Sequence, residues 1–244
     1  MIIHVFVISW RGQHDNATRI SNALEGHVDR LSVVFSDPDP ARAPTPPQAT
    51  HELLRTRNDL YWSDKFKTCL DHCTADVMLV IHADCTSDDW PQMVQRCRMA
   101  FSTMPKLGYW APQVDGAGIP LEWTRVAKVA DSLNLVAYID GIVFAIAKPV
   151  MARMALYDYR ANLYGWGIDW AISAFVYTSG RLALVDGSVL VRHPPGGGYD
   201  RTQAMVQMNA FIRQMRPEEL VYFTLARSHV RLTRSLQVSP RVMT

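Results

Sequence analysis

Three short stretches of this 244-residue chain hold residue types that can do chemistry together. The first is His82-Ala83-Asp84, which follows the continuous apolar run Val77-Met78-Leu79-Val80-Ile81. An acid just past a buried strand faces a site rather than a core, and a carboxylate there can hold a divalent cation that neutralises a diphosphate. A turn-forming or capping Asp is the bland alternative. The second is Gly165-Trp166-Gly167-Ile168-Asp169. Two glycines let backbone approach a ligand closely, and the indole between them offers a flat apolar face of the kind that suits a sugar. Asp169 is placed at a helix start, where its ionised form is favoured, its pKa is expected to be low, and it can accept a proton. A plain N-cap is the alternative there. The third is His193, ahead of Pro194, Pro195 and the run Gly196-Gly197-Gly198. Neutral imidazole is a common metal ligand, and a structural histidine beside a glycine-rich loop is the competing reading.

These residues need elements to position them. Runs rich in β-branched residues alternate with helical patterns, the signature of an α/β sheet. Ile2–Ile8 reads as a strand covered on both faces, followed by a helix over Asp15–Leu24 that stops at Gly26. Leu31–Phe35 is a second strand, running into Ser36-Asp37 and then a loop with Pro38, Pro40, Pro44, Pro46 and Pro47 that excludes helix and central strand. Ser63 is expected to cap a helix carrying Phe66, Cys69, Leu70 and Cys73 on one stripe. After the strand Val77–Ile81, Asp88 with Pro91 opens a further helix bearing Met93, Val94, Cys97 and Phe101. Leu107–Ala111, Ile142–Ile146, Leu182–Val185 and Ser188–Val191 read as strands, and Asp169–Tyr177 as a helix closed by Gly180. From Gln203 the pattern is helical, interrupted at Pro217. Ligands of open α/β sheets bind beyond the carboxyl ends of strands. Ser9, Trp10, Arg11, Asp37, His82, Asp84, Asp140 and His193 all fall at such ends or beside them.

Composition narrows the classes. The apolar fraction is 48%, the charged fraction 20% and the net charge +2, which describe a globular protein and not a strongly basic nucleic-acid binder. The four cysteines, Cys69, Cys73, Cys85 and Cys97, contain no C-x-x-C and read as reduced and buried. The first apolar run lacks a basic flank and a cleavage site, and Leu133–Ala147 is too short and too polar for a membrane span. A cytoplasmic protein is expected, with a peripheral face as one option. Residues 213–244 carry six arginines against two glutamates. That excess reads either as a surface for an anionic membrane or as a solvated helix face with a loose tail.

The order strand, helix, strand-Ser-Asp, long loop, helix, strand-x-x-Asp, Gly-Trp-Gly-x-Asp, strand-His resembles the GT-A fold nucleotide-diphospho-sugar transferases. It is most similar to glycosyltransferase family 2 and to the galactosyltransferase-like group with a Trp-Gly-x-Glu-Asp loop. The likeness covers residues 1–200. It implies an α/β fold with a mixed, mostly parallel, Rossmann-like sheet flanked by helices, and a C-terminal helical extension over 201–244. It implies a nucleotide-sugar donor, expected to be UDP-linked, a glycan or glycolipid acceptor, and Mn²⁺ or Mg²⁺. By the same resemblance Asp37 contacts the nucleobase and Asp84 is the last acid of a D-x-D motif that holds the metal. Lys65 lies at a donor-site position, beside Ser9, Trp10, Arg11 and His82. His193 completes the metal shell, Trp166, Gly167 and Asp140 line the acceptor side, and Asp169 is the general base of an inverting displacement. Two positions depart from the pattern: His82 stands at the first place of D-x-D, and Ile168 stands where the family has Glu. A retaining transferase and a non-catalytic carbohydrate- or nucleotide-binding module are the alternatives. A sugar-phosphate nucleotidylyltransferase is disfavoured, since Arg11-Gly12 is not a glycine-rich phosphate loop.

Overall fold

The computed structural model describes residues 1–47, 51–57, 61–194 and 199–237. Gly196–Gly198 and Arg241 lie outside them. The chain begins β1 (Ile3–Trp10), α1 (His14–Leu24), β2 (Arg30–Ser36), β3 (His51–Arg55), α2 (Trp62–His72) and β4 (Val77–His82). It continues β5 (Thr86–Ser87), α3 (Trp90–Thr103), β6 (Leu107–Asp115), α4 (Leu121–Thr124), β7 (Arg125–Lys128) and β8 (Leu133–Val136). It ends β9 (Val143–Ala147), α5 (Lys148–Met154), α6 (Ile168–Thr178), β10 (Leu182–Arg192), α7 (Arg201–Ile212) and α8 (Pro217–Gln237).

Among the described residues one 10-stranded sheet has the order β3-β2-β1-β4-β9-β6-β10-β8-β7, with β5 on β10. Only β9, β8 and β5 run against the rest, so the sheet is mixed and mostly parallel, as expected. Side chains alternate across it. Phe6 and Ile8 enter a core shared with α2, α5, α6, α7 and α8, while Val5 and Val7 enter one shared with α1 and α3. Burial on both faces is why β1, β2 and β4 are continuous apolar runs. The helices from Arg201 onward belong to the first core, through Met208, Phe211, Phe223 and Val230.

Several local expectations change. β1 runs on to Trp10, so Ser9 and Trp10 are in the strand and not after it. β3 follows the proline-rich loop and was not foreseen. Ser63 sits inside α2, whose N-cap is Tyr61 with no side-chain cap. Asp89, not Asp88, caps α3 by accepting from the Gln92 backbone, while Asp88 pairs with Arg192 at 3.0 Å. β10 is one strand with an irregularity between Asp186 and Leu190, where two were expected. All four cysteines are free thiols, three buried and Cys73 half-buried. No helix among the described residues is long and apolar enough to cross a membrane.

Candidate active site

Strand pairing gathers the chemistry at one edge of the sheet. β1 and β2 pair in register from His4↔Arg30 to Trp10↔Ser36, so both chains leave the sheet at the same level. β4 pairs antiparallel with β9, and the His82 N–H donates to the Ile142 carbonyl, which brings Asp140-Gly141 beside the end of β4. β5 pairs with the end of β10 through Val191↔Ser87 and Arg192↔Thr86, which folds Asp84 back toward His193.

His82, Asp84 and His193 then lie together, with one potential ligand atom from each within 4.8 Å of the others. Asp84 Oδ2 is 3.3 Å from His193 Nε2. Burial opposes the Asp84 charge, but the hydrogen bond from His193 and the nearby imidazoles hold its pKa below the ordinary value. The same hydrogen bond raises the pKa of His193. A carboxylate oxygen beside an imidazole nitrogen is a donor set that suits Mn²⁺. His82 is different. Burial lowers its pKa to about 4, so the ring is neutral, and its Nε2 accepts the Trp62 indole N–H. The proton therefore sits on Nδ1, and the ring offers a donor rather than a lone pair.

An acid pair stands next to this cluster. Asp140 Oδ2 accepts the Gly118 N–H at 2.6 Å, and burial raises its pKa. Asp169 accepts the Trp170 N–H at 2.8 Å and the Tyr138 hydroxyl. Burial first, and then the Asp140 charge, push the Asp169 pKa up to about 7. The low value expected at a helix start is thus overturned: desolvation and a like charge outweigh the helix end. Asp169 is not the cap either; Gly167 is, at φ 92°, and Asp169 is the second residue of α6. The two loop glycines serve packing against protein. A Cβ on Gly165 would meet Trp62 at 2.6 Å, and one on Gly167 would meet Met208 at 2.9 Å. Trp166 donates its indole N–H to Tyr199 Oη at 2.8 Å.

A cleft of about 360 Å³ opens beyond β1 and β2, lined by Gly12, His14, Asp37 and Arg42 among others. His14 bridges the two strands: its Nδ1 meets Ser9 Oγ at 2.8 Å and its Nε2 meets Asp37 Oδ2 at 3.1 Å. Ser9 is fully buried beneath the cleft. Arg11 is exposed beside it in sequence, and Trp10 packs edge-on against His82. Lys65 is almost wholly buried and donates to the Tyr61 carbonyl at 3.0 Å. The structure therefore unites His82, Asp84 and His193, unites Asp140 and Asp169, and lines the cleft with Asp37. Sequence reasoning missed His14, Arg42, Trp62 and Tyr138; Arg11-Gly12 just ahead of His14 was the nearest signal.

No protein-family model matches the sequence, and none of the curated proteins does. Solved structures do resemble the fold. GalNAc-T7 with UDP, GalNAc and Mn²⁺ superposes at a TM-score of 0.61 with 11% identity, over 91% of this chain and 50% of that one. This chain thus spans about half the length of that protein. A mannosyltransferase from Pyrobaculum calidifontis with GDP-Man and Mn²⁺ superposes at 0.60 with 15% identity, over 99% of this chain and 76% of that one. A UDP-glucose pyrophosphorylase with UDP-glucose superposes at 0.55 with 9% identity, over 88% and 100%. The chain has a GT-A-like α/β fold of the kind found in nucleotide-sugar enzymes.

Proposed function

We propose that this protein is a metal-dependent glycosyltransferase that moves a sugar from a nucleotide-sugar donor to a hydroxyl of a glycan or glycolipid, with inversion. The observation that carries this reading is the juxtaposition of a cation-ligand cluster and a carboxylate with its pKa near 7 at one sheet edge. Asp84 and His193 hold Mn²⁺ or Mg²⁺, and His82 donates its Nδ1–H toward the donor's diphosphate or ribose. The bound ion supplies Lewis-acid neutralisation of the departing diphosphate. The cleft with Asp37, His14 and Arg42 takes the nucleoside, expected to be uridine. Ser9 holds His14 in place, and Trp10, Arg11 and Lys65 flank the donor side. Residues 1–200 carry this site, and α7 and α8 of the 201–244 extension pack on it.

The reaction needs a proton acceptor. The acceptor hydroxyl oxygen bonds to the anomeric carbon while the bond from that carbon to the diphosphate oxygen breaks. The electron pair leaves with the diphosphate, and the hydroxyl proton passes to Asp169. A base with a pKa near 7 is well matched to this, because it is ionised at working pH and still basic. Burial and then the Asp140 charge keep it so, and Asp140 with Trp166 and Gly167 forms the acceptor side. GalNAc-T7 and the mannosyltransferase were both solved with a nucleotide and Mn²⁺, which agrees with this assignment. The shared fold also includes a pyrophosphorylase, so the test must read transfer itself. A panel of nucleotide sugars with Mn²⁺ should release free nucleoside diphosphate. Asp169→Asn should lower transfer by about a hundredfold or more while donor binding stays near normal. Release of nucleoside triphosphate from donor and pyrophosphate would mark a nucleotidylyltransferase instead, and binding without turnover would mark a non-catalytic module.

A further inference from the structure

Behind the acid pair lies a second cavity, of about 200 Å³. Gly118 and Ile119 line it on one side, and Trp123 and Trp170 give it aromatic walls. α8 contributes Arg227, Arg231 and Arg234. The spacing i, i+4, i+7 puts all three guanidiniums on one helix face, where like charges repel. Arg234 lies over the Trp123 ring at 5.1 Å and Arg227 over Phe223 at 5.2 Å. None of the three has a carboxylate partner among the described residues. Residues 238–244 contain no Asp or Glu. Burial and the Arg231 charge hold the Arg227 pKa below its usual value, so crowding these cations has a cost that ring contacts offset in part and no carboxylate among the described residues neutralises.

Two residues of the cavity wall are hydrogen-bonded to the acid pair. Gly118, at its edge, donates to Asp140, and Trp170, in its wall, donates its backbone N–H to Asp169. We propose that this cavity binds a phosphate or diphosphate group carried by the acceptor, and so presents the acceptor hydroxyl to Asp169. This rests on the glycosyltransferase reading for there being an acceptor at all. Three guanidinium forks match a doubly charged phosphoryl group better than a single carboxylate, and the indoles suit the sugar or hydrocarbon next to it. Three of the six arginines of the C-terminal segment thus line one cavity. The phosphoryl group can belong to a soluble phosphosugar or to a lipid-linked one.

The experiment is titration of the full-length protein with inorganic pyrophosphate in EDTA, followed by calorimetry. The chelator silences the cation cluster. The native protein should bind pyrophosphate, the exposed pair R231Q/R234Q should weaken it at least tenfold, and Asp84→Asn should leave it unchanged. Lack of metal-free binding, or equal binding by R231Q/R234Q at unchanged melting temperature, overturns the proposal. Two further arms name the source. Competition by a sugar 1-phosphate supports a soluble acceptor, and pyrophosphate-sensitive binding to vesicles carrying a polyprenyl phosphate supports a lipid-linked one. Vesicle binding that pyrophosphate does not displace shows a mere membrane surface and counts against the site. In the same preparation, absence of Mn²⁺-dependent UDP binding removes the glycosyltransferase reading without touching the anion result.

Discussion

Asp169 shows how much of a residue's chemistry comes from its neighbours. An aspartate near a helix start is expected to be a strong acid, yet burial and Asp140 place this one near 7. Below that pH it is protonated and, in the proposed reaction, cannot accept the hydroxyl proton. The rate of transfer at low substrate should therefore fall about tenfold per pH unit below 7 and level off above it. Tyr138 donates a hydrogen bond that favours the ionised form, so Tyr138→Phe should move this limb to higher pH; an unmoved limb would take Asp169 out of the titration. Stability follows the opposite course. The folded state holds a proton between the ordinary Asp value and about 7 that the unfolded chain has lost. This contribution is complete at low pH and disappears as pH rises through 7. Asp169→Asn should therefore gain in denaturation midpoint over the native protein more at pH 8 than at pH 5.

Two elements make the site depend on packing far from it. The loop before α6 reverses through Gly165 and Gly167, both in the left-handed region at φ 76° and 92°. Gly165 also lies against the Trp62 ring, and Trp62 in turn donates to His82. Gly165→Ala should cost about 1–3 kcal/mol from strained backbone alone and shift the Trp62 ring. Chemical denaturation checks the first effect, and affinity for a nucleoside diphosphate checks whether it reaches His82. α8 is pinned elsewhere. Arg153 meets Glu219 with both oxygens, at 2.9 and 2.7 Å, in a buried pair, and Glu219 Oε2 also accepts the Arg216 N–H at 2.8 Å. Burial opposes the Glu219 charge, but Arg153 holds its pKa below the ordinary value. Removing one partner strands the other, so Glu219→Ala should lose about 3–5 kcal/mol in urea denaturation. A loss under 1 kcal/mol would show that α8 is held by its apolar face alone.

Among the described residues, seven strands pointing one way put the loops after β1, β2 and β4 at a single edge, and the reversed β9 delivers Asp140 to it. A ligand bridging that edge should stabilise the fold as one body. UDP with Mn²⁺ at about a hundredfold above its dissociation constant should add about 2.7 kcal/mol, read as a rise in melting temperature that Asp84→Ala abolishes. An equal rise in the variant would exclude Asp84 from the donor site. The strand runs of β1, β2, β4, β6 and β9, the proline-rich loop and the acids and histidine at strand ends were legible in the primary structure, whereas the short strands β3, β5, β7 and β8 were not. Hydrophobic continuity and turn chemistry are local, and they say which residues leave a sheet at its edge. Which of those residues meet was decided by the tertiary structure. Asp84 reaches His193 through the β5–β10 pairing, and Asp140 reaches Asp169 through β9. The Ser9–His14–Asp37 link, the Trp62 hold on His82 and the arginine cavity likewise span residues far apart in the chain. The same holds for the Asp169 pKa, which depends on desolvation and on a charge brought near by folding. Burial and through-space charge depend on how the elements pack, so no local pattern of residues carries them.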